Sequence, residues 1–363
     1  MSLHSHQNAE GGAPPPAEVL LGRPEFVGDL AEAAQFVRER RVLVTGAAGS
    51  VGRPLAEVLR AAGPARLLLL DHHEHSLFSL ERVLGSARLE LSYELADIRE
   101  VDRLKRVLDE QRPEIVFHLA AAKHVPYGER FPEGAVAVNV LATSTLLDLC
   151  GEVGVETLVY PSSDKSVRPP SVYGATKRIA EALIQSQVQT HRRWAIVRYV
   201  NIVGTRGSVV ETFTQQVLAD RPLSVTDERM TRYWISMREA VWCVLLAAQC
   251  AAPGAVVMPA CGEPLPLLET ARRLAGWYRP ERVPYPITCT GMRPGERLHE
   301  VLLTANESFT DGPARGLRSV ATTRDGARLS EVASVVADLR ARVAAGDREG
   351  LAAACLAAAQ ALQ

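Results

Sequence analysis

Short apolar runs alternate with amphipathic stretches through the first part of the chain. Arg41-Val-Leu-Val-Thr45, Arg66-Leu-Leu-Leu-Leu70, Leu89 to Leu95, Ile115 to Leu119, Thr157 to Tyr160 and Ala195 to Val200 read as strands. A strand covered on both faces shows a continuous apolar run instead of polar alternation. Between the runs the apolar positions recur at helical spacing, as in Pro54 to Ala62 and, before the first strand, at Leu30, Ala33, Ala34 and Val37. Strand and helix in regular alternation predict an α/β fold built on a doubly wound parallel sheet.

Beyond residue 200 the alternation decays. The pattern predicts a dinucleotide-binding domain over 25–200 and a smaller α/β substrate part over 201–325, folded against the first domain. C-terminal helices over 326–363 then pack on the core, the first from Leu329, Val332, Val336, Leu339 and Val343. Residues 1–24 combine Gly11-Gly12 with Pro14-Pro-Pro16 and polar positions, which predicts a flexible tail.

A formal net charge of -1 leaves no field to attract nucleic acid or an anionic membrane, so anion binding has to be local. The six cysteines form no C-x-x-C pair and no recurring spacing, which suggests reduced thiols instead of a zinc or disulfide framework. No apolar run reaches membrane-spanning length and the N-terminus lacks signal-peptide order, so a cytoplasmic protein without membrane insertion is expected. His72-His-Glu-His75 has no metal-ligand spacing, and no metal site is expected.

The first strand runs into Gly46-Ala-Ala-Gly49-Ser-Val-Gly52 and then a helix. Glycines there allow a tight turn and a close approach of backbone to a pyrophosphate at the helix N-terminus, so Gly46, Gly49, Ser50, Val51 and Gly52 are candidate cofactor contacts in a Rossmann-type fold. Asp71 closes the second strand where an acid would bind the adenosine ribose, which favours NAD over NADP. Asp97 and Ile98 end the third strand near the expected adenine, and the small Ala120 and Ala121 end the fourth. Lys123 and His124 either face a substrate or are solvated. Asn201, Arg206, Ser208 and Val209 lie in one donor-rich loop and Arg293 and Glu296 in another; two arginines on separate loops could clamp a diphosphate.

The stretch Ser162 to Lys177 is the densest in proton-moving groups. Tyr173 and Lys177 are four apart, so on a helix they share one face, and a lysine there can hold a tyrosine partly ionised beside a nicotinamide. Asp164 either caps the helix, pairs with an arginine or acts as an acid. Lys165 either anchors a phosphate or ribose or acts as a base.

Taken together, Thr45-Gly-Ala-Ala-Gly-Ser-Val-Gly52, Ser162-Ser-Asp-Lys165, Tyr173-Gly-Ala-Thr-Lys-Arg178, Gly207-Ser-Val209, Met230-Thr-Arg-Tyr-Trp234 and Arg293-Pro-Gly-Glu296 resemble the capsular-polysaccharide branch of the extended short-chain dehydrogenases, the UDP-N-acetylglucosamine 4,6-dehydratases. The resemblance covers roughly residues 38 to 362. It implies NAD, a UDP-sugar substrate, a homo-oligomer and a site of Ser163, Asp164, Lys165, Tyr173 and Lys177, with Arg232 among the substrate contacts. Ser163 stands where the family has Thr, Arg168-Pro169-Pro170 where it has Asn-Pro, and Tyr173 where large membrane-anchored members have Met, which points to the soluble subgroup. A 4-epimerase of the same fold, or a non-catalytic NAD-binding scaffold, are the alternatives.

In the implied reaction Tyr173 takes the C4 hydroxyl proton, and Asp164 and Lys165 serve as acid and base for loss of water across C5 and C6. For that, the Lys165 pKa would have to fall from about 10.4 to roughly 7, at a cost of about 4 kcal/mol, and Asp164 would have to hold a proton. Adjacent side chains on a strand point to opposite faces, so the backbone is expected to leave strand conformation by Asp164.

Overall fold

The computed structural model describes residues 13–85, 90–323 and 331–363. Each expected run forms a strand: β1 (Arg41–Thr45), β2 (Arg66–Asp71), β3 (Glu90–Leu95), β4 (Ile115–His118), β5 (Thr157–Ser163) and β6 (Arg193–Tyr199). Leu89, Leu329 and residues 1–12 of the expected tail lie outside the described residues. The six strands are parallel in the spatial order β3-β2-β1-β4-β5-β6. Because parallel neighbours need a crossover over the sheet, helices cover both faces, and the winding reverses between β1 and β4. Alternate strand residues feed two cores: Leu43, Val116, Leu158 and Ile196 face one, Val42, Phe117, Val159 and Val197 the other.

The boundary expected at residue 200 does not divide the sheet. β11 (Val256–Pro259) extends it beside β6 in parallel, and β15 (Leu317–Thr322) and β14 (Glu307–Asp311) close that edge antiparallel, giving nine strands. The rest of the later chain forms three two-stranded ribbons. β7 (Asn201–Ile202) pairs with β10 (Trp234–Ile235), β9 (Thr231–Arg232) with β12 (Leu265–Pro266), and β8 (Leu223–Val225) with β13 (Ile287–Cys289). Their own core, around Phe213, Trp234 and Leu274, takes in Leu20 and Leu21. Here the expectation of a tail to residue 24 is corrected. Ala17–Leu21 is a short helix, and Arg23 is pinned by Glu239 at 2.7 Å and by the Trp234 carbonyl at 3.0 Å, so apolar burial and ion pairing order this segment.

Pro132–Val153 forms one helical run, with a π-helical stretch over Ala137–Ala142. Contrary to the sequence reading, its length and mean hydropathy of 1.4 would suffice to cross a membrane, but 56% of its apolar window is buried inside the fold. Val136, Val140, Leu146 and Leu147 are core residues. The C-terminal helices Val332–Ala345 and Arg348–Ala361 pack on the helix Val172–Ser186, whose Arg178 donates to the Leu362 carbonyl at 2.7 and 3.0 Å.

At the point where the winding reverses, β1 turns sharply into the helix Gly52–Ala62. Gly46 has φ 67°, and a Cβ on Gly52 would lie 2.2 Å from the Gly46 carbonyl oxygen. Behind the turn, His118 is buried between the Thr45 hydroxyl (2.7 Å) and the Thr143 hydroxyl (3.0 Å), and burial pushes its pKa down to about 3.

Two outcomes follow. Gly52→Ala should cost about 1–3 kcal/mol of stability by overpacking the turn, read by urea denaturation. An unfolded histidine takes up its proton near 6.5 while folded His118 stays neutral to about 3, so stability should fall as pH drops through that window. His118 contributes on the order of 4 kcal/mol to the fall, and His118→Gln should flatten it.

Candidate active site

β5 carries the chain to Ser163, and the next three residues, Asp164–Ser166, form a single 3-10 turn capped by the Ser163 hydroxyl, which accepts from the Lys165 N–H at 3.3 Å. The turn is the departure from strand geometry that the two side chains require. It brings Lys165 Nζ to 3.0 Å from Asp164 Oδ1, with Asp164 fully buried and the Lys165 amine facing the cleft. Asn201 accepts from the same amine at 3.3 Å. A second acid, Glu300, stands 3.3 Å from Lys165 Nζ and 3.5 Å from Arg232 Nε.

These neighbours overturn half of the expected charge pattern. Burial pushes the Lys165 ammonium down, but the Asp164 and Glu300 carboxylates outweigh it, and its pKa ends above the ordinary value instead of near neutrality. Asp164 behaves as expected: burial raises its pKa against the pull of Lys165, and its Oδ2 has no partner. Glu300 stays ionised, its pKa lowered by Lys165 and Arg232 despite burial.

The helix Val172–Ser186, capped by Ser171 on the Gly174 N–H at 3.2 Å, presents Tyr173, Lys177 and Glu181 four residues apart on one face. Tyr173 lines the cleft. Its pKa is raised by burial, against the lowering pull of Lys165 and of the Ser163 hydroxyl; the expected depression by Lys177 is absent. Lys177 instead donates to the Pro161 carbonyl at 2.8 Å and lies 4.3 Å from the Tyr160 ring centroid, and burial brings its pKa down to about 7.

Glu181 is buried behind the turn. It accepts from the hydroxyls of Ser162 (2.5 Å) and Ser166 (2.7 Å), which flank the Asp164-Lys165 pair. Arg198 grips both its oxygens at 2.8 and 3.1 Å, Arg178 reaches it at 3.0 Å, and Arg198 also holds Glu307 through two bonds of 3.1 Å. Burial raises the Glu181 pKa, but the two arginines win and bring it to about 2.

On the cofactor side, Gly46, Gly49, Ser50, Val51, Gly52, Asp71, Asp97, Ile98, Ala120 and Ala121 all line the same cleft, of about 1310 Å³. That exceeds the roughly 300–1,000 Å³ of an ordinary small-molecule pocket and has room for two ligands side by side. The fit to a dinucleotide is good on local grounds. The helix Gly52–Ala62 starts without a side-chain cap, and a Cβ on Gly46 would meet the Ala120 nitrogen at 2.7 Å. Asp71 takes the Ala48 and His73 N–H groups at 2.9 Å each, tying the glycine turn to the end of β2. Asp97 is paired with Arg99, and Asn139, from the π-helical stretch, holds both backbone groups of Ala122.

The expected substrate residues divide. Arg206 and Arg293 both line the cleft; the Arg206 N–H donates to the Ser50 hydroxyl oxygen at 3.1 Å, and its guanidinium reaches Ser76 and the Ala48 carbonyl, across the glycine turn. Lys123 donates to the Arg206 carbonyl at 2.7 Å and His124 packs on Gly207, so both support that loop. Ser208 caps the helix that begins at Val209. Arg232 is spent on the carbonyls of Thr231, Arg297 and Leu298 and on Glu300. Arg293 and Glu296 share a turn at the cleft edge, where Gly295 packs on Ser171 and Val125. Sequence reasoning missed Glu300, which follows the Arg293 turn with no periodic signal, and Glu181, whose four-residue offset from Lys177 was the available clue.

A profile of the family described as polysaccharide biosynthesis protein matches residues 42–318. The probable polysaccharide biosynthesis protein EpsC of Bacillus subtilis is 37% identical over 80% of this chain, and the capsular polysaccharide biosynthesis protein CapD of Staphylococcus aureus is 36% identical over 80%. This chain spans about half the length of those two relatives, 49% of each. A UDP-N-acetylglucosamine 4,6-dehydratase (inverting) of Campylobacter jejuni is 31% identical over 74% of this chain and 79% of its own. Among solved structures, Pen from Bacillus thuringiensis superposes with a TM-score of 0.73 at 26% identity, over 79% of this chain and 90% of that one. With that family match spanning most of the chain and relatives up to 37% identical over 80% of it, the chain belongs to the polysaccharide biosynthesis protein family.

Proposed function

We propose that the chain is an NAD-dependent nucleotide-sugar 4,6-dehydratase acting on UDP-N-acetylglucosamine, with or without inversion at C5. The observation that carries this reading is the turn that sets Asp164, buried with one oxygen unpartnered and its pKa raised, directly against the Lys165 amine, which lines the cleft together with Tyr173. A 4-epimerase needs Tyr173 and Lys177 but has no use for an acid aimed at C6. The Campylobacter relative supports the same choice. The glycine turn supports NAD as the cofactor, as does the Thermus thermophilus UDP-glucose 4-epimerase solved with NAD, 25% identical with a TM-score of 0.62.

Bound NAD supplies reversible hydride transfer. The glycine turn would hold its pyrophosphate and Asp71 its ribose. Tyr173 takes the proton of the C4 hydroxyl as that carbon is oxidised, and the resulting ketone acidifies the C5–H bond. Lys165 removes the C5 proton while the Asp164 carboxyl protonates the departing C6 oxygen, so that water leaves and a C5–C6 double bond forms; the hydride taken from C4 then returns to C6 as a proton is added at C5, giving the 4-keto-6-deoxy product. Lys165 has to lose its own proton first, and the resting site holds that proton through Asp164 and Glu300.

Incubation with UDP-N-acetylglucosamine in deuterium oxide should give loss of the 6-hydroxyl by mass and deuterium at C5 by NMR; a galacto-epimer retaining its 6-hydroxyl would overturn the reading. Tyr173→Phe should lower both C4 oxidation and water loss by about 100-fold or more, whereas Asp164→Asn should lose water release and keep C4 oxidation. Elimination should speed up as pH rises through the Lys165 pKa. Glu300→Gln removes one of the carboxylates that raise that pKa, against the opposing charge of Arg232, so the rising limb should move to lower pH.

A further inference from the structure

We propose that Glu181 is the positioning residue for the elimination half of the reaction, holding the Asp164-Lys165 turn in register with Tyr173 through the hydroxyls of Ser162 and Ser166. The inference rests on the dehydratase reading above and assigns a role to a residue outside the reacting groups.

The geometry is specific. Tyr173, Lys177 and Glu181 share one helix face, and Glu181 is the member turned away from the cleft, 0% exposed. Its Oε1 takes the Ser162 hydroxyl at 2.5 Å and the Ser166 hydroxyl at 2.7 Å, one on each side of the two residues that must reach the sugar. A 3-10 turn of three residues cannot shift as a unit while both flanks are tied to one carboxylate. The other ties of the turn are the Ser163 cap, the Ser163 hydroxyl on Asp164 (3.0 Å), the Val167 N–H on the Asp164 carbonyl (3.1 Å) and the contacts of Lys165 with Asp164, Asn201 and Glu300.

Glu181 can act as a fixed post because its own position is over-determined. Both of its oxygens are held by Arg198, Arg178 adds a third cation contact, and Arg178 is itself anchored on the Leu362 carbonyl. The same cluster reaches the other acid of the site. Arg198 holds Glu307 at the start of β14, and Glu307 takes the Thr304 N–H at 2.9 Å, four residues beyond Glu300. One buried group thus references the turn carrying the acid and base to the helix carrying Tyr173.

If Glu181 acts this way, loosening the turn should separate the two chemical steps. C4 oxidation uses Tyr173 on the rigid helix and should survive; elimination uses Asp164 and Lys165 and should not. The test is the double variant Ser162→Ala with Ser166→Ala, which leaves the Glu181, Arg178, Arg198 and Glu307 charges intact, measured beside Glu181→Gln. With UDP-N-acetylglucosamine and NAD, the serine variant should form NADH near the wild-type rate and accumulate it as a lasting absorbance. Water release should fall by about 100-fold, the scale expected of a misplacement near 1 Å, in kcat with little change in KM. A folded serine variant in which oxidation and elimination fall in parallel, or in which elimination is unaffected, overturns the proposal, whatever Glu181→Gln does to folding. An unsubstituted protein that never releases water overturns the dehydratase reading and takes this inference with it. Wild-type elimination unchanged by the serine substitutions overturns this inference alone.

Discussion

Glu181 carries its charge with no access to water, and a carboxylate so placed persists only where cations meet it directly. Arg178 and Arg198 do so, and Glu307 balances the second arginine, so two positive and two negative groups close on one another inside the fold. Removing one member of such a set leaves a partner charged and unpaired, which costs about 3–5 kcal/mol in comparable buried pairs. A well-packed apolar cluster could stabilise this core as well. It could not hold two hydroxyls 2.5 and 2.7 Å from a single atom and so fix the turn between them. The helix bearing Tyr173, the end of β5, the start of β14 and the C-terminal helix all meet at this cluster.

Around the reacting groups the balance of charge differs from the one the chemistry first suggests. Adjacent acid and base were expected to exchange their usual states, a neutral lysine supporting a protonated aspartate. Asp164 shifts upward because burial dominates its environment. Lys165 does not shift downward, because the Asp164 and Glu300 carboxylates together keep the ammonium charged. The site is therefore a buried cation shared between two acids, one with its pKa raised and one with its pKa lowered.

Much of the fold was legible in the sequence because both of its signals are local. Apolar runs such as Arg66 to Leu70 marked strands buried on both faces, and the glycine spacing from Gly46 to Gly52 marked the turn between β1 and its helix. The bend at Asp164 was legible for a different reason: two side chains needed at one sugar cannot both leave a straight strand. What escaped was non-local. β11, β14 and β15 join the main sheet from segments with no regular alternation before them, and Leu20 and Leu21 are ordered by an apolar cluster formed far along the chain. Arg206 is engaged at the glycine turn by Ser50, Ser76 and the Ala48 carbonyl, contacts that residue type alone does not foretell. Glu300 is brought to Lys165 from 135 positions away, and no spacing rule connects them.

The loop bearing Arg206 has a consequence for the order of events. It bonds to Ser50, to Ser76 and to the Ala48 carbonyl, and Lys123 fastens it from the opposite wall, so it spans the glycine turn like a bar across a doorway. Under the proposed function, a dinucleotide held on that turn would have to part these bonds to leave, so it would stay in place from one sugar to the next, and a reaction returning its electrons within each cycle would draw on no outside pool of reducing power.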